Sequence, residues 1–444
     1  MTDIHIKNAP VWRQPNRGGT DRNREIKAGT VSVYNGLPKK ERKKSMKKHI
    51  SFLLAVFMLL SLCGCGASAP AETLPPQPVS QTDPAAETGT GEVTVTDMIG
   101  RQVSIIPGSY KRVVCIGAGA LRMYSYIGDV SLLAGVEDID NTTLQNRPAM
   151  FDSVARPYVL AYGDIFNTLP SCGVGGPMAQ AAEAEKILSC DPDIVISEFE
   201  DVEKSDALQE QLGVPVITLS TGSKGVFDDK FYGSVRLLGQ IFAEEEKAES
   251  LVSFVQAEAA AISARVAEIP EAEKPSVYIC GLGNWGTTDH LMTAENYVSF
   301  EIAGVKNVVT GLGMQGVGPI EEEKFVELGG DMDIIIMDAA AVKNIKPLYG
   351  EDNTMFDTCK AWQNGEVYLQ MAYNAYYTNH EIALINTWFI AKTVYPEAFA
   401  DIDLTAKTGE ITEKFLGRDL AAAIFACPSS FGGYQKIDTA TFFG

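Results

Sequence analysis

A cluster of aromatic residues in the C-terminal third carries the clearest binding chemistry of the sequence. Tyr373, Tyr376 and Tyr377 lie close together and are followed by His380. The phenol rings could stack on a macrocycle or a catechol, and the imidazole could ligate heme iron or bond a ligand oxygen. Each ring could instead belong to the core, and the histidine could start a helix. We treat all four side chains as candidate ligand contacts.

Further candidates lie in segments that follow predicted strands. Arg122 could hold a carboxylate or a negatively charged chelate through two parallel hydrogen bonds, or it could pair with a nearby glutamate. Tyr158, Tyr162 and Trp285 offer additional ring faces. In parallel α/β lobes, ligands bind beyond the carboxyl ends of the strands. We therefore expect these side chains to line one cleft.

The motifs of the sequence argue against an enzyme. Gly117-Ala118-Gly119 follows a predicted strand, but Arg122 stands where a dinucleotide fingerprint needs its third glycine. No sequence motif indicates a Ser-His-Asp or Cys-His set for nucleophilic catalysis. Downstream of residue 64 the histidines are His290 and His380, too few for a zinc or manganese site with several His ligands. We expect neither a cofactor nor a resident metal.

Charge divides the chain into two parts. Residues 1–64 carry a net charge of +9, and the remaining residues carry −29. A body this acidic would repel a phosphate backbone, so the charge argues against nucleic-acid binding. The basic end has another explanation. Met46-Lys47-Lys48-His49 precedes an apolar run, Ile50–Leu62, that is too short to span a membrane. A basic start followed by a short apolar run is typical of a secretory signal.

The end of this signal resembles a bacterial lipoprotein box. In Leu62-Cys63-Gly64-Cys65, the resemblance implies that Cys65 is lipidated and becomes the mature N-terminus. Residues 65–92 are rich in Pro, Ala, Thr and Ser and predict a flexible linker. Residues 1–45 predict disorder or a start codon assigned too early. We expect an extracytoplasmic protein anchored to the cell membrane through Cys65.

The body predicts an α/β fold of two lobes with mostly parallel central sheets. Short apolar strands alternate with helices through 93–243 and again through 270–444. Between them, 244–269 contains neither Gly nor Pro and has a one-sided apolar stripe, which predicts one long backbone helix. The ligand cleft should lie between the lobes. A single helix between the lobes would permit only small hinge motion.

An internal echo supports two similar lobes. Glu185-Lys186-Ile187-Leu188 leads to Asp191-Pro192-Asp193 and an apolar strand. Glu323-Lys324-Phe325-Val326 leads to Asp331-Met332-Asp333 and another apolar strand. Strands that end in glycine, beginning near Arg112 and Ser276, repeat in the same way.

These elements together resemble the ABC importer receptors for iron-siderophore, heme and cobalamin ligands. The resemblance covers about 93–420 and rests on Asp97-x-x-Gly100-Arg101, Arg112-Val113-Val114, the Asp-Pro-Asp element and the long helix. It implies a monomer that captures a ferric siderophore or heme and delivers it to a dimeric membrane permease. It also implies that Glu185 and Glu323 dock onto arginines of that permease. A cobalamin or molybdate receptor of the same fold, and a surface sensor without transport, remain as alternatives.

Overall fold

The computed structural model describes residues 91–443, apart from 178, 180, 223–225 and 352–353. All described residues belong to one compact unit, Pro84–Gly444. The expected signal peptide, the lipidated Cys65, residues 1–45 and most of the linker lie outside the described residues. Short apolar runs form the strands, whose bounds are β1 Val93–Thr96, β2 Gln102–Ile105, β3 Val113–Ile116, β4 Leu133–Glu137, β5 Ser171–Gly173, β6 Ile194–Ser197, β7 Val216–Thr218, β8 Ser276–Cys280, β9 Met292–Ala294, β10 Lys306–Asn307, β11 Val317–Pro319, β12 Ile334–Asp338, β13 Val367–Gln370 and β14 Gln435–Lys436.

The helices cover both faces of the sheets. They are α1 Ala120–Ile127, α2 Pro157–Phe166, α3 Ala184–Ser189, α4 Val202–Leu212, α5 Asp229–Phe242, α6 Glu245–Val266, α7 Val298–Ile302, α8 Glu322–Gly329, α9 Val342–Glu351, α10 Lys360–Gln363, α11 His380–Val394, α12 Leu404–Leu416, α13 Ala421–Ala426 and α14 Thr439–Phe443.

The first lobe is built on a parallel sheet with strand order β5-β4-β3-β6-β7. Strands β3 and β6 are buried along their whole length, as expected for a sheet covered on both faces. The antiparallel hairpin β1-β2 precedes this sheet. Its turn is tied to β7, because Arg101 donates to Asp97 Oδ2 at 3.1 Å and to the carbonyl of Val216 at 2.9 Å.

The second lobe repeats this plan. Its sheet has the order β10-β8-β12-β13-β14, in which only β14 is antiparallel. Strands β8 and β12 are again fully buried. A separate antiparallel pair, β9-β11, lies outside the sheet. The prediction of two α/β lobes with mostly parallel sheets is therefore confirmed.

The internal echo reappears in atomic detail. In the first lobe, the Asp193 carboxylate accepts hydrogen bonds from the backbone N–H groups of Lys111 and Arg112 at 2.6 and 3.0 Å. In the second, Asp333 Oδ2 accepts one from the N–H of Ser276 at 2.8 Å. The second aspartate of each Asp-x-Asp element thus caps the start of the neighbouring strand, which gives the repeated sequence a structural reason.

One long helix, α6, joins the lobes as expected, and it covers Glu245–Val266 where 244–269 was expected. Helix α6 ends at Val266 and packs as the second arm of a helical hairpin with α5. Glu258 fixes α6 to the second lobe by accepting hydrogen bonds from Trp388 Nε1 at 2.7 Å and Lys407 Nζ at 3.3 Å. Helices α12 and α13 pack against α2 of the first lobe. The C-terminal region therefore contacts both lobes, which the expected boundaries did not include.

Gly239 allows α5 and α6 to approach each other closely. A Cβ at this position would lie 2.7 Å from Ala248 Cβ and 3.2 Å from the Cα of Glu245. We predict that Gly239→Ala destabilises the protein by about 1–3 kcal/mol, because an added methyl group must push the helices apart. Gly163→Ala on α2 is the matched control, since its Cβ would meet nothing closer than 3.7 Å. It should be neutral or stabilising by up to about 1 kcal/mol. Urea unfolding of both variants measures the difference, and equal stabilities would contradict the close helix contact.

Candidate functional site

A cavity of about 640 Å³ lies between the two lobes. The segments that follow β3, β6, β8 and β13 meet there, as expected for carboxyl ends of parallel strands. Aromatic and small apolar side chains from both lobes dominate its wall. The lining residues are Gly117, Ala118, Met150, Phe151, Gly176, Pro177, Ala179, Glu198, Phe199, Asn284, Trp285, Thr287, Asn374, Tyr376 and Tyr377.

Three of the predicted ligand-binding residues line this cavity: Trp285, Tyr376 and Tyr377. The backbone N–H of Trp285 donates to the carbonyl of Asn374 at 3.0 Å, which joins the two loops that carry these aromatic rings. The side chain of Tyr377 is available to a ligand, because this residue is 53% exposed. The structure thus brings together, at one cavity, three predicted aromatic side chains that could stack on a ligand.

The loop that carries the tyrosines holds a strained backbone. Tyr376 and Tyr377 have φ values of 55° and 62°, in the left-handed region that side chains rarely adopt. Asn379 supports this turn by donating from its amide to the carbonyl of Tyr373 at 3.0 Å. Strain of this kind, which costs about 1–3 kcal/mol per residue, persists where the surroundings fix the loop, and it is common at binding sites.

Tyr376 also connects the lobes. Its hydroxyl donates to Glu137 Oε2 at 2.6 Å and accepts from the N–H of Gly176 at 3.0 Å. The other oxygen of Glu137 accepts from the N–H of Gly117 at 3.0 Å. Burial raises the pKa of Glu137 to about 7, although these hydrogen bonds oppose the shift. The phenol is therefore held in place as part of the cavity wall.

Arg122 does not line the cavity. It is fully buried, and its Nε donates to Asn379 Oδ1 at 3.0 Å. Its Nη2 donates to the carbonyls of Ala375 and Tyr376 at 3.1 and 2.9 Å. Contact with a ligand carboxylate does not fit this placement, because two of the three guanidinium nitrogens already hold the tyrosine loop. Arg122 positions the loop from behind the wall.

His380 also lies away from the cavity. It is the first residue of α11, fully buried, with its ring stacked on Phe231 at 4.0 Å between centroids. Its Nε2 lies 3.2 Å from the carbonyl of Thr221. Burial lowers the pKa of His380 to about 3, so the ring stays neutral. This placement fits the interpretation that His380 starts a helix, and it does not fit ligation of iron.

The remaining predicted tyrosines have structural contacts. Tyr158 is buried and donates to Asp140, which also pairs with the buried Arg156. Tyr162 donates to the carbonyl of Leu416 at 2.6 Å and so joins α2 to α12. Tyr373 is buried in the core beside the cavity-lining loop. None of the three lines the cavity described above.

Glu198 is the acidic side chain of the cavity wall. It follows β6 and is 9% exposed. Burial raises the pKa of its carboxyl well above the ordinary value, the charge of Glu200 adds to the rise, and Arg122 opposes it. Its Oε1 has no hydrogen-bond partner among the described residues. No lysine or arginine is among the described residues that line this cavity.

Two other cavities differ in charge and position. One of about 700 Å³ shares Trp285 but lies mainly on the second lobe, beside Lys343 and Lys346, with only Ser153 from the first lobe among its lining residues. Another of about 370 Å³ lies within the first lobe, near Phe199 and Lys204. We assign the candidate site to the cavity between the lobes because both lobes supply its wall.

Glu185 and Glu323, the expected permease contacts, occupy matching places in the two lobes. Glu185 lies in the first turn of α3, which leads to β6, and Glu323 lies in the first turn of α8, which leads to β12. Both are exposed, as are Glu321 and Glu322 beside the second. They are therefore accessible to a partner.

Sequence reasoning missed part of the wall. Met150 and Phe151 come from the long connection between β4 and α2, and Gly176-Pro177 comes from the loop after β5. The Gly175-Gly176-Pro177 cluster was a turn signal that could have indicated this loop. Nothing in the local pattern distinguished Met150 and Phe151 from core residues.

The described residues contain neither a metal-binding cluster nor a candidate membrane-spanning helix. No group of three or more His, Cys, Asp or Glu side chains in this part of the chain is placed to hold a metal ion. Across 91–443, outside the gaps, no helix has the length and apolar character that crossing a bilayer requires. The cysteines in this part of the chain are free thiols, and Cys115 and Cys280 are buried in β3 and β8.

Comparison with solved structures shows the fold. A periplasmic solute binding protein from Veillonella parvula superposes with a TM-score of 0.59 at 18% identity, covering 79% of this chain and 98% of the other. The molybdate periplasmic binding protein MolA of Haemophilus influenzae gives 0.56 at 17% identity, covering 74% and 98%. The TroA-like periplasmic binding protein FepB from Veillonella parvula gives 0.53 at 21%, covering 74% and 97%. A search of curated protein sequences gives no significant match.

The family follows from a sequence comparison. A family model described as "Periplasmic binding protein" matches residues 151–372, which is half of the chain. The matched segment extends from Phe151 through β13 and contains α6, so it includes parts of both lobes and most of the cavity wall. The chain belongs to the periplasmic binding protein family, whose members are the extracytoplasmic solute receptors of ABC importers and not enzymes.

Proposed function

We propose that this protein captures a ferric siderophore, as an intact chelate, and delivers it to its membrane permease. The observation that carries the proposal is the cavity between the lobes, about 640 Å³ in volume and walled by aromatic rings from both. Ligand cavities of small molecules span roughly 300–1,000 Å³, so an organic chelate fits the available volume.

The chemistry of the wall supports a chelate that brings its own metal ligands. The described residues that line the cavity include one carboxylate, Glu198, and no histidine or cysteine. An iron ion bound directly by the protein would need several such groups. Trp285, Tyr376 and Tyr377 instead provide ring faces for the organic part of a chelate.

The alternatives fit less well. Molybdate is small and dianionic, and no lysine or arginine is among the described residues lining this cavity. Heme iron needs an axial ligand from the protein, and His380 is buried against Phe231. Tyr377 has an exposed phenol that could ligate heme. Heme is therefore included in the test, together with cobalamin.

Intrinsic fluorescence tests the proposed ligand directly. We expect saturable quenching of residues 92–444 by at least one ferric siderophore at micromolar concentration or tighter, because Trp285 lies in the cavity wall. Heme, cobalamin and molybdate complete the panel. Trp285→Phe should remove most of the quenching, whereas Trp388→Phe should keep it, since Trp388 lies on α11 and donates to Glu258. Saturation by one of the other ligands alone would discard the siderophore.

Tyr377 provides an affinity test. We predict that Tyr377→Ala weakens binding of the quenching chelate about fivefold, because it removes a ring whose stacking contributes on the order of 1 kcal/mol. Val93→Ala is the control, since Val93 is similarly exposed at 44% but belongs to the hairpin β1-β2. Calorimetric titration measures both affinities. Unchanged affinity in the tyrosine variant would place the chelate elsewhere.

We also infer that Glu185 and Glu323 dock onto the permease. Their matching positions on α3 and α8, together with their exposure, support two separated carboxylates that set the register on a dimeric partner. The proposed lipid anchor at Cys65 would keep the receptor close to that partner.

Charge reversal separates docking from capture. We predict that the double variant Glu185→Lys, Glu323→Lys binds the chelate normally but loses most uptake, because repulsion replaces attraction at both docking points. Glu203→Lys with Glu246→Lys is the control for added charge, since both glutamates are exposed on other helices. Uptake of iron-55 chelate into cells that contain the native permease is the measurement. Equal uptake by both double variants would assign Glu185 and Glu323 to the solvated surface.

A further inference from the structure

Glu198 in the cavity wall and Arg122 behind it each have one buried polar atom without a hydrogen-bond partner. Glu198 Oε1 and Arg122 Nη1 are buried, and each lacks a hydrogen-bond partner among the described residues. The two groups are neighbours, because a Cβ at Gly119 would lie 3.8 Å from Arg122 Nη1 and 3.8 Å from Glu198 Cγ. The other guanidinium nitrogens of Arg122 are committed to the tyrosine loop. The N–H of Thr221 donates to the Glu198 carboxylate, but the guanidinium does not supply the donor that Glu198 Oε1 lacks.

A buried acceptor without a donor indicates a missing partner. Nearly all buried polar side chains in folded proteins are hydrogen-bonded, and each exception needs an explanation. Glu198 is nine-tenths buried yet lines the cavity. A ligand in this cavity would lie within reach of the carboxylate and could supply the donor.

The rest of the wall indicates the charge of that donor. No cationic side chain is among the described residues lining the cavity, and Lys343 and Lys346 lie in the adjacent cavity that shares Trp285. Ring faces of Trp285 and Tyr377 carry partial negative charge and attract cations. An acid in a wall that also contains aromatic rings favours a protonated amine over an anion. The positive charge of the amine would stabilise the ionised carboxylate and so oppose the burial that raises the pKa of Glu198.

We propose that Glu198 is a specificity residue that binds a protonated amine, or a similar cationic N–H donor, carried by the ligand. The inference rests on the proposed function in taking the cavity as the ligand site, and it narrows the ligand to chelates with a free amino group. Hydrogen bonds to charged groups contribute enough to change affinity about tenfold or more. Glu198 is the one carboxylate among the described residues that line the cavity, so it is the group with which the amine would pair.

The test uses two matched pairs of probes. The first pair is a linear ferric trihydroxamate with a free terminal amine and the same chelate after N-acetylation. The second pair, which contains no iron, is tryptamine and N-acetyltryptamine, followed at millimolar concentration by saturation-transfer NMR. The proteins are the wild type, Glu198→Gln and Glu200→Gln. Glu200 is the matched control because it accepts from Ser220 Oγ at 2.7 Å, lies 3.9 Å from Lys230 and does not line the cavity.

We expect wild type and Glu200→Gln to bind each amine about tenfold more tightly than its acetylated form, and Glu198→Gln to bind both forms equally. Thermal unfolding shows whether the variants are folded, and the wild-type preference alone decides the matter if Glu198→Gln is not. Equal wild-type affinity for both members of each pair would overturn the inference and leave the proposed function standing. Preference for tryptamine without binding of either chelate would support the inference and discard the linear trihydroxamate as the ligand. No binding of any probe would overturn the inference, whereas the fluorescence titration with the ferric siderophores decides the proposed function.

Discussion

The buried guanidinium of Arg122 is the constraint on which the candidate site depends. It extends from α1 of the first lobe and donates to Asn379 Oδ1 and to two backbone carbonyls of the second lobe. Those carbonyls belong to Ala375 and Tyr376, within the strained loop that supplies the aromatic wall. Removing the guanidinium would leave buried acceptors unpaired, at about 1–3 kcal/mol each. One side chain thus fixes the loop and the spacing of the lobes around it.

Other contacts reinforce the same junction. Tyr126 of α1 donates to Glu381 at the start of α11, and His380 beside it stacks on Phe231 of α5. Tyr376 reaches Glu137 across the cleft at 2.6 Å. Polar groups of this kind specify one arrangement because each has few alternative partners in a buried setting. The cleft is therefore held from its closed side by a polar junction and remains open on the side lined by Tyr377.

The sequence predicted the architecture well because strands in covered parallel sheets are short apolar runs between turn residues. Strands β3, β6, β8, β12 and β13 are such runs, and each is buried along most or all of its length. Helix α11 was harder to place, since it is apolar on nearly all sides and gives no amphipathic period. Site residues were harder still. Arg122 and His380 have the chemistry of ligand contacts, but only the fold shows that backbone groups and Phe231 occupy them.

The two lobes also show how a repeated framework acquires a binding function. By the alignment of Asp193 with Asp333, Glu198 corresponds to Asp338 at the end of β12. Asp338 is satisfied within its own lobe, accepting from Gln370 Nε2 and the N–H of Ala340 at 2.8 Å each. Burial raises the pKa of Asp338 to about 7. Asp338 is not among the residues that line the cavity. Glu198 has the longer side chain, and its Oε1 lacks such a donor. The symmetry of the lobes is therefore broken at the carboxyl end of β6, where an unsatisfied acid faces the space between them.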